Sequence, residues 1–262
     1  MTAFLVYLAV GAAAGVLAGL FGVGGGLIIV PVLVWVFTAQ GMDASVVMHL
    51  AIGTSLATIA LTSLASIRAH HRRGAVVWPW VVRLLPGIVL GALAGAWLAD
   101  QLHTGTLKRF FGAFELLVAA QLLFVSRYEA HFELPGRAGM GVAGAVIGVV
   151  SALIGIGGGT LTVPFLVWCR AAVIQAVATA AACGFPIAVA GALGFVAAGW
   201  REPGLPPLAS GYLYWPAWAG IVLASTSAAG FGAWLAHRLP AQQLRRLFAL
   251  LLAALGLNML LA

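Results

Sequence analysis

A triple glycine inside an apolar run, written twice, constrains this chain more than any other feature. Residues 20–35 read LFGVGGGLIIVPVLVW, and residues 153–168 read LIGIGGGTLTVPFLVW. At an offset of 133 residues, 12 of the 21 positions from Gly15 to Trp35 are identical in the second copy. At an offset of 137, GAWLADQL at 95–102 aligns with GAWLAHRL at 232–239, and LKRFF at 107–111 with LRRLF at 244–248. The order is kept, so the chain is a duplication. A first repeat covers 1–127, a polar linker 128–137, and a second repeat 138–262.

The solvent around these runs is lipid. Hydrophobic residues make up 63% of the chain and charged residues 7%, against about 25% charged in soluble domains. Eight apolar segments can be drawn, at 5–38, 44–66, 78–99, 106–125, 138–169, 173–199, 212–235 and 244–261. Most reach the ~20 residues that cross the hydrocarbon as a helix. None shows the short alternating pattern of a membrane barrel. The expectation is an all-α polytopic membrane protein.

The net charge of +7 falls between the spans, as a topology signal does, and no nucleic-acid partner is expected. Cys169 and Cys183 offer neither a disulfide framework nor metal spacing, so no metal and no cofactor are expected. HExxH, GxSxG and GxxxxGK[ST] are all missing from the sequence. GVGGGL lacks the third glycine and the preceding strand of a dinucleotide site. The chain reads as no enzyme.

The glycine-bearing segments have an awkward length. Residues 5–38 are too many for one crossing and too few for two. If each such segment crosses once, the 13 Lys and Arg residues split seven against six. If each goes in and comes back, broken at its glycines, the split is ten against three, a clear positive-inside bias. The hairpin arrangement leaves three full crossings per half, so the halves are expected as inverted repeats with both termini outside the cytoplasm. A broken helix at membrane depth leaves backbone groups unpaired, which is tolerated only against protein or a wet cavity.

Glycines in series expose successive N–H groups with no side chain in the way. The helix that follows brings roughly half a positive charge at its N-terminus. Together they make an anion-binding concavity. Gly24, Gly25, Gly26, Gly157, Gly158 and Gly159 are therefore the candidate substrate-binding residues, with Thr54, Ser55 and Thr179 as hydroxyl donors. Gly91 and Gly95 read as helix-packing glycines. Glu115, an acidic residue well inside an apolar segment, and Arg83, near the start of another, are the candidate coupling or pathway residues. A buried neutral carboxyl bonded to a neighbouring helix is the plainer account of Glu115, and a side chain reaching the interface is the plainer account of Arg83.

The paired GxGGGxxxVP motifs, the GTS at 53–55 and the HHRRGAVVW loop at 70–78 resemble the TauE/SafE sulfite-exporter family along essentially the whole chain. In the second half the GTS position reads ATA, at 178–180, so only Thr179 carries over. The resemblance implies a multi-pass carrier of the bacterial inner membrane. Its cargo would be a small sulfur-containing oxyanion, such as sulfite or an organosulfonate, moved by alternating access. An anion channel or uniporter, a carrier of another small organic anion and a membrane scaffold or enzyme subunit are the alternatives.

Overall fold

The computed structural model describes residues 2–21, 25–124, 133–236 and 241–261. Ten α-helices form there, five to each half. The first half holds α1 (Thr2–Phe21), α2 (Gly26–Ala39), α3 (Val47–Arg72), α4 (Trp78–Asp100) and α5 (Thr104–Phe124). The second holds α6 (Arg137–Ile154), α7 (Gly159–Trp168), α8 (Val173–Ala198), α9 (Trp215–Ala236) and α10 (Ala241–Leu261). A 3-10 turn at Gly199–Arg201 and two short paired strands, β1 (Ala209–Ser210) and β2 (Leu213–Tyr214), join α8 to α9. Among the described residues, five helices are long and apolar enough to cross a membrane.

Each glycine-bearing segment breaks in two, as its length requires. The first returns to where it started: Tyr7 Oη, early in α1, donates to Gln40 Oε1 at 2.6 Å, just past the end of α2. The Tyr7 and Phe37 rings meet edge-on at 6.3 Å. From Tyr7 to the break, and from the break back to Gln40, each arm rises about 21 Å, short of the ~30 Å hydrocarbon. In the second segment Met140, early in α6, shares a buried cluster with Leu166 and Val167 at the end of α7. Gly155 ends α6 in the left-handed conformation, with φ 76°. Its N–H and that of Ile156 return to Ser151 O at 2.9 and 3.0 Å, satisfying a carbonyl that the helix end leaves open.

Pro31 and Pro164 fall in the second turn of α2 and α7 rather than the first. Each therefore removes a helical donor, leaving the Leu27 and Thr160 carbonyls without an intrahelical partner.

The halves do not fold as separate bodies. α1 lies along α9 and α4 along α6, α3 packs on α8, and α5 on α10. Both exchanged pairs run in the same direction: Gly11 and Gly15 face Ile221 and Ser225, while Gly87, Gly91 and Gly95 face Gly141, Ala145 and Val149. A Cβ on Gly91 or Gly95 would strike the Ala145 or Val149 carbonyl, so both are close-approach residues as expected.

Two ends of the bundle follow from the contacts. At one, the starts of α1, α3, α5 and α9 meet the ends of α2, α4 and α8. His49 Nε2 sits 3.0 and 3.1 Å from Ala99 O and Leu102 O, and its ring stacks on Tyr212. Tyr212 Oη donates to Asp100 Oδ1 at 2.9 Å. At the other end Val76, Val81, Met140, Leu166, Val167, Ala171 and Ala176 cluster, joining the starts of α4, α6 and α8 to the end of α7. The first helix of each half thus starts at opposite ends. Of the described basic residues, Lys108, Arg109 and Arg201 stand toward the Tyr212 end. Arg68, Arg72, Arg73, Arg83, Arg137, Arg170, Arg245 and Arg246 stand toward the other.

Candidate functional site at the hairpin tips

The two breaks meet each other. A Cβ on Gly26 would come within 2.5 Å of Gly155 O and 2.9 Å of Ile156 Cα. The first turn of α2 therefore rests on the turn that ends α6. Helix α3 passes both tips: Ser55 Oγ donates to Gly155 O at 2.9 Å, and Ile59 lies against Gly26 and Gly157. On the far side Gly158 seats on α8, where an added Cβ would lie 2.6 Å from Ala180 O and 2.9 Å from Gly184 N.

The glycines therefore differ in what they do. Gly25 caps α2 at φ 80°, a conformation that disfavours every side chain. Gly26 and Gly158 permit backbone to touch backbone. Gly157 is open by comparison, since its Cβ would meet only Ile59 Cγ2, at 3.4 Å. Gly159 opens α7. Gly24 lies outside the described residues. Gly25, Gly26, Gly157 and Gly158 are buried. The N–H groups of Gly159, Thr160 and Leu161 have no intrahelical acceptor; that of Thr162 is the first to find one, on Gly158 O at 2.9 Å.

The three hydroxyls expected at the site are used for assembly. Thr54 Oγ1 accepts the Tyr214 N–H at 3.1 Å, immediately before α9. Thr179 Oγ1 accepts the Val77 N–H at 3.1 Å, immediately before α4. These are matching positions in the two halves, and each threonine fastens the start of a helix from the other half. Ser55 gives its hydrogen to the second hairpin, and Thr58 gives its own to Thr54 O at 2.9 Å.

Other hydroxyls are left over. Ser151, Thr160 and Thr162 have buried oxygens with no partner among the described residues. All three belong to the second hairpin, one before its break and two in the first turn of α7. Sequence reasoning passed over them, although a signal was there. Thr160 and Thr162 stand in GGGTLTVP, where the first copy reads GGGLIIVP with Leu27 and Ile29.

Arg83 is exposed on α4 and is not brought together with the hairpin tips. Glu115 is fully buried, but on α5 against α10. Asp100 is held at the Tyr212 end, and Asp43 lies in the loop before α3. There the Ser45 N–H and hydroxyl hold its carboxyl below the usual range. The tips thus present helix N-termini, free N–H groups and hydroxyls, which suit an anion. Among the described residues no group of three His, Cys, Asp or Glu could hold a metal ion.

The family model described as Sulfite exporter TauE/SafE matches residues 7–259. A probable membrane transporter protein of Haemophilus influenzae is 35% identical over 261 residues, 99% of both chains. One from Xylella fastidiosa is 27% identical and covers 97% of this chain and 93% of its own. The probable membrane transporter protein YunE of Bacillus subtilis is 29% identical over 62% of this chain and 66% of its own. No solved structure matches significantly.

Proposed function

Because the chain belongs to the TauE/SafE sulfite-exporter family and is a multi-pass membrane transporter rather than an enzyme, we infer that it is a secondary carrier. Its cargo is a small sulfur-containing oxyanion, sulfite or an organosulfonate, exported across the bacterial inner membrane by alternating access. The halves are inverted repeats, and the cargo sits where their hairpin tips meet. The α7 N-terminus, the N–H groups near Gly157 and the Thr160 and Thr162 hydroxyls hold it. The basic end faces the cytoplasm and the Tyr212 end the periplasm.

One observation carries this reading: Gly26 lies on Gly155 and Ile156, so two broken helices from opposite ends touch inside the bundle. Broken helices with their N-termini at a midplane site are how many secondary carriers hold anions. A pyramidal or tetrahedral oxyanion takes donors from several sides, as the N–H and hydroxyl groups here are able to give. A cation finds no carboxylate among the described residues of the tips. The charge pattern supports the orientation, with eight of eleven described basic residues toward one end.

The test is counterflow. Purified protein in proteoliposomes preloaded with unlabelled sulfite should concentrate labelled sulfite transiently, and a short alkanesulfonate should compete. Net flux without exchange would make the protein a channel. Saturable cation uptake indifferent to both anions would overturn the anion site.

A further inference from the structure

Glu115 stands midway along α5, fully buried. Neither of its carboxyl oxygens has a hydrogen-bond partner among the described residues. It sits one turn from the point where the last helices of the two halves cross. There a Cβ on Gly112 would come within 2.7 Å of Gly256 O, and one on Gly256 within 2.8 Å of Gly112 O and 3.0 Å of Glu115 Cβ. The backbones touch, and the buried Glu115 side chain begins against this crossing.

The architecture does not require an acid here. At the matching position of the second half stands Leu252, also fully buried. Among the described residues no charged group stands beside the acid either. The charged residues of its own helix, Lys108 and Arg109, lie about two turns away in sequence. The helices packed on α5 are α3, α6 and α10, and they carry theirs toward the ends. Arg137 opens α6, Arg245 and Arg246 lie in the first two turns of α10, His49 lies in the first turn of α3, and Arg68, His70, His71 and Arg72 close it. An unpaired carboxylate in such a place costs far more than a neutral acid, and ionisable groups at membrane depth mark proton paths.

We propose that Glu115 is the binding site of a coupling proton, which rests on the carrier reading above. In the conformation described, the side chain is a neutral carboxylic acid. When the α5–α10 crossing loosens and admits water, the O–H bond breaks, the proton passes to that water and a carboxylate remains. The crossing closes dry only after the carboxylate takes a proton back. The effect reaches the anion site through packing, since α10 also touches α1 and α2 and α5 touches α3, the helices that form and flank the first hairpin.

Two measurements test it. Glu115→Gln keeps the shape and removes the exchangeable proton. Sulfite counterflow should survive in this variant, while sulfite movement driven by an imposed pH gradient should fall to the level of empty liposomes. Infrared difference spectra of the native protein in membranes should show the carbonyl band of a protonated carboxylic acid at neutral pH, lost in Glu115→Gln. The chain holds only six acidic residues, so the band is assignable. Full pH-gradient coupling in Glu115→Gln, or no protonated band in the native protein, overturns the proposal and leaves the carrier reading standing. Native protein that shows the band but no counterflow with sulfite or an alkanesulfonate overturns the carrier reading instead. Should Glu115→Gln fail to fold, Glu115→Leu, which copies the residue at 252, takes its place in both assays with the same outcomes.

Discussion

Thr54 and Thr179 occupy equivalent places and accept equivalent N–H groups, those of Tyr214 and Val77. Replacing either by valine keeps the volume and strands a donor at a helix start, which costs about 1–3 kcal/mol. Serine at the same site should restore most of it, as thermal unfolding in detergent will read. The neighbouring glycines separate packing from binding. Gly158→Ala drives a methyl into the Ala180 and Gly184 backbone and should lower stability sharply. Gly157→Ala meets only the end of Ile59 and should fold normally. Weaker sulfite binding by Gly157→Ala at unchanged melting temperature places the anion at the tip; unchanged binding moves it away. The triple glycines announced the break in the sequence. Which glycine seats on which helix was not legible, because that depends on backbone from segments far away in the chain. The threonines read as donors to a ligand for the same reason: the sequence displays a hydroxyl and not the N–H that reaches it.

The hairpins are unequal as elements. The first is closed at its base by three rings, Tyr7, Phe37 and Tyr214, that meet edge-on at 5.6 to 6.3 Å. At the positions offset by the repeat the chain has Met140 and Arg170 in the second half and Val77 in the first. Phe37→Ala should therefore speed hydrogen exchange along α2 and leave α7 unchanged; equal acceleration in both would deny that the rings hold one hairpin. The need for two arms was readable from length and from the ten-to-three charge split. The β1–β2 turn was not. Tyr212 reads as the start of an apolar span, yet it belongs to a loop folded back on Phe195 O, Asp100 and His49. Aromatic residues at a span end carry the same hydropathy whether they enter lipid or pack on the bundle.

For the whole molecule, topology is the accessible measurement. A reporter that fluoresces only in the cytoplasm, fused after the last residue, should stay dark, and the same reporter in the loop after Arg72 should shine. A bright C-terminal fusion contradicts the proposed orientation. Separately expressed halves should each be degraded, because α1 and α4 lose the helices that receive Gly11, Gly15, Gly87, Gly91 and Gly95. Co-expression should recover the protein.

The exchange of α1 and α6 between halves has a mechanical meaning. Each hairpin's first arm is bolted, by carbonyls that leave no room for a methyl, to a crossing helix of the opposite repeat. A tilt of α9 drags the first hairpin, and a tilt of α4 drags the second. With one hairpin based at each end of the bundle, the proposed alternating access needs only one rotation that withdraws one hairpin and presses the other inward. In the proposed carrier the two mouths of the pathway would then work in antiphase, like the doors of a lock on a canal.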